Sequence, residues 1–167
     1  MEYATQLTRM IDQELSLCSE LLLATRAQRT AIVSGDVLRL AQLVSRAEET
    51  IRKVRDIEVS IAELAGRFAI ESGGERCNDP EAAMAALVAS LEEASRAELG
   101  KSKSRIAGLL SDIAAANAVN AGLLGDALSY IDNIVRLIAS ADEDNSIYSR
   151  LGILDRKASS AAVDDTA

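Results

Sequence analysis

Histidine and tryptophan are absent from this chain of 167 residues, which holds one proline, one phenylalanine and three tyrosines. Without histidine there is no imidazole for general acid–base work, no phosphohistidine relay and none of the commonest metal ligand. The two cysteines, Cys18 and Cys77, stand far apart. They read as small apolar or incidental residues of a reduced compartment, not as a disulfide framework. No uncharged apolar run approaches the roughly 20 residues of a membrane span. The opening MEYATQLTRMIDQEL has no basic region leading into an apolar core, so neither membrane insertion nor a secretory signal is expected. The expectation is a soluble, cytoplasmic protein.

What is present favours helix. Apolar residues make up 49% of the chain and aromatics only 2%, and the apolar share is dominated by Leu, Ile and Ala, with Glu and Arg between them. The length suits one ordinary domain that buries roughly 70% of the surface its unfolded form exposes. A formal charge of −8 repels phosphate backbones. No local basic patch is read to offset it: Arg52, Lys53 and Arg55 alternate with Glu48, Glu49, Asp56 and Glu58 as a mixed, solvated face. Nucleic acid is therefore not an expected partner.

The periodicity divides the chain into helices. Residues 3–33 place Tyr3, Leu7, Met10, Ile11, Cys18, Leu21, Leu22 and Ile32 on one apolar face. Ser34-Gly35 breaks the pattern; Gly35 suits a left-handed helix end and Asp36 the cap of the next helix. So short a turn predicts antiparallel neighbours. Over 37–69, Leu40, Val44, Ala47, Ile51, Val54, Ile61, Ala65 and Phe68 follow steps of four and three, interrupted at Glu58, with Leu43, Ile57 and Leu64 flanking. The loop ESGGERCNDPE leads to Asp79 as N-cap and Pro80 at the first helical position. A third helix is expected over 80–98, with a break or kink at Leu99-Gly100-Lys101. A fourth, over 102–140, carries a stripe running from Ile106, Leu110 and Ile113 through Asn117, Asn120, Leu124 and Ala127 to Ile131, Ile134 and Ile138. The fold expected is all-α: an elongated antiparallel bundle or coiled coil of three to four long helices. Residues 1–141 would form the helical domain. Residues 142–167 would form a flexible tail holding a small apolar island of Ile147, Tyr148, Leu151, Ile153 and Leu154.

Catalytic chemistry finds little to work with. Gly73-Gly74 follows no strand, and no GK[ST] motif marks a phosphate loop. Di-metal sites in helical bundles want Glu-x-x-His motifs and several inward carboxylates. Here Glu58 is the evident seam acid of the second helix and Glu14 the candidate of the first, and each reads first as a snorkelling or locally paired carboxylate. No metal and no cofactor are expected, and the chain is not expected to be an enzyme. Two alternatives stay open: a structural coiled-coil scaffold, dimerising through the second helix, and a cofactor-free all-α enzyme working through Arg and Glu. The heptad seam can close within one chain or between two copies, so a homodimer also stays open.

Two features ask for separate explanations. A polar Asn in an apolar seam costs stability unless its amide is hydrogen-bonded. Asn117 and Asn120 either bond across to another helix and fix register, or mark a seam that receives a segment of another protein. Tyr148 is either an incidental tail residue or an interface anchor.

With these pieces in place, the chain resembles the FlgN-type flagellar export chaperones. AIVSGDVLRLAQLVSRAEETIRKVRDIE resembles the family's first hairpin, NAVNAGLL its N-x-x-N-x-x-L-L segment, and IYSRLG its terminal Tyr followed by Gly. The chain departs from the pattern at Ala121, commonly Gly in the family, and in the three residues between Tyr148 and Gly152. The resemblance implies a cytosolic chaperone of flagellar type III secretion. Such a protein binds the C-terminal helical regions of the hook–filament junction proteins FlgK and FlgL, keeps them from premature assembly and delivers them to the export gate. It implies client binding by Asn117, Asn120, Leu123, Leu124, Leu128 and Ile131. It also implies docking at the gate component FlhA by Tyr148, with Ile147, Leu151 and Gly152 beside it.

Overall fold

The structure, a computed structural model, describes residues 2–72 and 79–145, and for residues 141–145 the backbone alone. It holds four helices: α1 (Glu2–Ser34), α2 (Val37–Glu71), α3 (Pro80–Ala89) and α4 (Glu93–Asn145). Among the described residues there is no strand, and the all-α expectation is met. The chain divides into two units, residues 1–123 and 124–167.

In the first unit, the turn at Gly35 is made by the chain's local chemistry. Gly35 takes φ +69°, a conformation that a Cβ would strain. Its N–H donates to the Ile32 carbonyl at 3.1 Å, and the Asp36 N–H reaches back to the Ala31 carbonyl at 2.9 Å. Two carbonyls that the end of α1 leaves orphaned are thereby satisfied. Asp36 then caps α2, its carboxylate accepting from the Arg39 N–H at 2.9 Å. The hairpin is antiparallel along its length. Near the turn, the Gln28 amide donates to the Leu43 carbonyl at 3.4 Å. At the far end, the rings of Tyr3 and Phe68 meet edge to face with centroids 5.5 Å apart.

The face predicted for α1 is the buried one, with Leu7, Ile11, Cys18, Leu21 and Leu22 all inside. In α2 the seam is turned from the predicted one. Leu43, Ala47, Thr50, Ile61 and Leu64 are buried and Val54 and Ile57 half-buried, whereas Val44 is 41% and Ile51 38% exposed. Leu43 and Leu64, expected to flank, share the core with Ala47, Ile61 and Ala65 of the predicted seam, so burial overlaps that seam and departs from it at Val44 and Ile51. Thr50 hides this from a hydropathy reading, yet its hydroxyl donates to the Arg46 carbonyl at 3.0 Å and so tolerates burial. Glu58, the apparent interruption, simply lies outside the true seam and is exposed.

Asp79 caps α3 as expected, accepting from the Glu81 N–H at 2.9 Å, with Pro80 in the first turn. Ala83 and Leu87 join Leu7, Leu64 and Ala65 in the main core, together with Leu91, Leu99 and Ile106 of the following segment. The break after α3 is not at Gly100, which is helical, but at Ser90–Glu92. The physical reason is a side chain. The Arg96 guanidinium donates to the carbonyls of Ala89 and Leu91, both at 3.0 Å, supplying partners that a helix end otherwise lacks. Leu91, buried at the corner, anchors it. In a second cluster Ile113 packs with Leu21, Leu22 and Ala47. Farther on, Asn120 meets Thr25, so this stretch of α4 runs in the same sense as α1.

Candidate functional site

Within the first unit, α4 buries Leu99, Ile106, Ile113, Ala116 and Asn120, with Ser102, Leu109 and Leu123 half-buried. Steps of three and four link all of them. The predicted stripe shared only alternate members of this set. Leu110 is 49% exposed, and Asn117 is exposed. The two asparagines therefore do not share the seam: Asn120 is in it and Asn117 is outside. Ala116 and Ser102 carry too little hydropathy to mark the right register in sequence, but their small size suits close helix packing.

Asn120 is 5% exposed. Its Nδ2 donates to the Thr25 carbonyl at 2.9 Å, while the Thr25 hydroxyl donates to the Leu21 carbonyl at 2.9 Å. The Asn120 Oδ1 is buried with no hydrogen-bond partner among the described residues. A buried amide satisfied on one side adds directional pairing between α4 and α1 at some cost in stability. That is the internal role weighed for it in sequence.

The second unit is different in kind. Every described side chain from Leu124 to Ser140 is exposed. At 100° per residue, Leu124, Ala127, Leu128, Ile131, Ile134, Val135 and Ile138, bordered by Tyr130 and Leu137, fill about half of the helix circumference. The large members of this set are between 37% and 69% exposed. Asp126, Ser129, Asp132, Asn133 and Arg136 fill the other half, with Arg136 on Asp132 at 2.9 Å. A surface helix usually turns its apolar stripe to a core; this one leaves it in solvent. Of the predicted client contacts, Leu124, Leu128 and Ile131 lie on this face. Ile134 and Ile138, placed on the stripe in sequence but not among the client contacts, extend this face, as does Val135, which the sequence reading did not include.

α4 also contains an 18-residue window of mean hydropathy 1.3, long and apolar enough to cross a membrane by length and composition, and 17% of that window is buried. Asp126, Asp132 and Arg136 gathered on one side make the second unit's helix amphipathic rather than apolar all round.

Elsewhere the described residues offer little reactive chemistry. No group of three or more His, Cys, Asp or Glu among them is placed to hold a metal ion. Glu14 is half-buried, and its carboxyl is pushed up first by burial and then by Glu58, with Lys103 opposing. Burial, reinforced by the same two carboxylates, also pushes up the Cys18 thiol, which makes it less reactive. Glu58 and Lys103 border an open groove of about 480 Å³ whose other walls include Ile61, Met84 and Val88. Cys77, Ile147, Tyr148, Leu151 and Gly152 lie outside the described residues.

Fold and surface together define a class: an all-helical protein with a packed helical core and an amphipathic helix whose apolar half is left uncovered. Residues 1–155 match the family model described as FlgN protein, and the chain belongs to that family. Membership makes it a flagellar export chaperone in general terms. No curated protein and no solved structure matched the chain.

Proposed function

We propose that this chain is a cytoplasmic export chaperone for hook–filament junction proteins of the FlgK and FlgL type. It would bind their C-terminal helical regions, hold them unassembled and deliver them to the export gate component FlhA. The observation that carries the reading is the exposed apolar half of α4 between Leu124 and Ile138. An amphipathic helix laid on such a face buries apolar residues of both partners at i, i+3, i+4 and i+7 spacing. An assembly-prone segment needs that cover until secretion.

Within this proposal, Leu124, Leu128 and Ile131 contact the client, joined by Ile134, Val135 and Ile138. Asn120 acts differently. Its amide is committed to Thr25, so it positions α4 rather than touching the client. Asn117, exposed, and Leu123, half-buried, belong to the first unit. Tyr148, with Ile147, Leu151 and Gly152, is the proposed anchor for FlhA. The scaffold alternative loses its main motive, because the α2 seam is occupied by α1 within one chain.

The test is titration calorimetry against the C-terminal helical fragment of a junction protein. Leu128 is 67% exposed, so Leu128→Asp is expected to leave far-UV circular dichroism unchanged. It should weaken the fragment tenfold or more, about 1.4 kcal/mol at least. Unchanged affinity in the folded variant would overturn the groove.

A further inference from the structure

The uncovered face of α4 and residues 146–167 belong to one unit of the chain, and their compositions are complementary. By sequence, residues 124–145 carry Asp126, Asp132, Asp142, Glu143 and Asp144 against Arg136 alone, a net −4. Arg136 is committed to Asp132 at 2.9 Å. Beyond Asn145 the basic residues are Arg150, Arg156 and Lys157, and they bracket Leu151, Ile153 and Leu154. The acids beyond Asn145 are Asp155, inside that group, and Asp164 and Asp165, seven or more residues past Lys157. Residues 150–157 thus join an aliphatic cluster to a net +2. They follow within a few residues a helix that joins an open aliphatic face to a net negative charge.

We propose that residues 150–157 turn back onto α4 and shield its apolar half from Ile131 to Ile138 until a client helix displaces them. Length allows it. At 1.5 Å per residue, Ile138 lies about 10 Å and Ile131 about 21 Å from Asn145 along the helix. The chain from Asn145 to Leu151 spans up to about 20 Å, and that to Leu154 up to about 30 Å. Both positions are within reach once a reversal of a few residues is allowed for, whereas Leu124, about 32 Å away, is not. Charge decides for this segment over a second copy of the chain. Two α4 faces bring like net charge together, while residues 150–157 bring the opposite sign. The covalent connection adds an effective concentration on the order of mM. Contact with Ile134 and Ile138, 37% and 61% exposed, then populates the shielded state without a large interface. A client helix enters where Leu124 and Leu128 are left open and displaces the segment. That displacement rests on the client face proposed above; the shield itself does not. Tyr148 precedes the contact and is not part of it.

The experiment is methyl NMR of the full chain carrying a nitroxide at Ala158→Cys, with Cys77→Ser; Cys18 is buried and so escapes the label. The methyl signals of Ile131, Ile134 and Ile138 are expected to broaden. The double variant Arg156→Glu, Lys157→Glu should remove the broadening, and Leu128→Asp, outside the shielded stretch, should leave it. No broadening, broadening that survives the charge reversal, or broadening passed from a spin-labelled chain to a separate isotope-labelled one would overturn the proposal. The last of these would assign the face to a second copy. Calorimetry with the C-terminal helical fragment of a junction protein tests the displacement. A shield present in most molecules lowers apparent affinity by the uncovered fraction, so Ile153→Ser, Leu154→Ser is expected to tighten the fragment about threefold to tenfold. Equal affinity for the variant and the wild type would overturn the displacement. A fragment that binds neither chain, with the broadening intact, would overturn the client face and leave the shield standing.

Discussion

Glu14 lies on α1 with its carboxyl half-buried, faced by Glu58 of α2 and Lys103 of α4. Burial first, and the Glu58 charge second, raise its pKa above the ordinary value, and Lys103 offsets only part of this. The folded state therefore binds this proton more tightly than the unfolded chain does. The corresponding stability is present at low pH and is lost as pH rises through the raised, folded-state pKa. Glu14→Gln is accordingly expected to raise the thermal midpoint at about pH 7, with the gain shrinking toward about pH 4, where the wild-type carboxyl is protonated. Calorimetric or circular dichroism melts at the two pH values check the sign; a lower midpoint for the variant at neutral pH would refute it.

At the scale of helices, packing separates residues that look equivalent along α2. Leu64 is fully buried and Ile51 is 38% exposed, although the four-three spacing had placed Ile51 in the seam and Leu64 beside it. Leu64→Ala is expected to cost about 2–5 kcal/mol, because it removes apolar contact and leaves a cavity that the hairpin cannot fill. Ile51→Ala should cost no more than about 1 kcal/mol. Urea unfolding midpoints of the two variants measure the difference, and equal losses would mean that the seam runs through both. The α3–α4 corner obeys the same logic of partners. Arg96 holds it by two hydrogen bonds to carbonyls, not by a glycine or proline that the sequence displays.

For the molecule as a carrier, two proposed contacts must be independent: the client on α4 and the gate on the segment around Tyr148. A contact carried by a few side chains buries little surface, so its affinity is modest and the contact reversible. Reversibility suits a protein that surrenders its cargo. Tyr148→Ala is expected to leave client affinity within about twofold, below roughly 0.4 kcal/mol. It should reduce binding of the loaded complex to the cytoplasmic domain of FlhA, read by surface plasmon resonance, and lower secretion of the client. Loss of client affinity with gate binding intact would assign Tyr148 to the groove.

Local rules by themselves determined much of this chain. Gly35 and Asp36 end one helix and start the next, Asp79 and Pro80 open another, and the apolar face of α1 follows from its own spacing; each depends only on backbone conformation and neighbouring side chains. The family, too, was legible in short segments whose order survives in sequence. The register of burial was not. Heptad sequences offer interleaved stripes some tens of degrees apart, and only contact with α1 selected Thr50 and Leu64 over Ile51 in α2, and Ala116 over Asn117 in α4. The partner of Asn120 is a carbonyl 95 residues away, beyond any local rule. Exposure is likewise a property of what surrounds a helix. Among the described residues, the same three-four spacing is core between Leu99 and Asn120, where α1 packs on it, and exposed between Leu124 and Ile138.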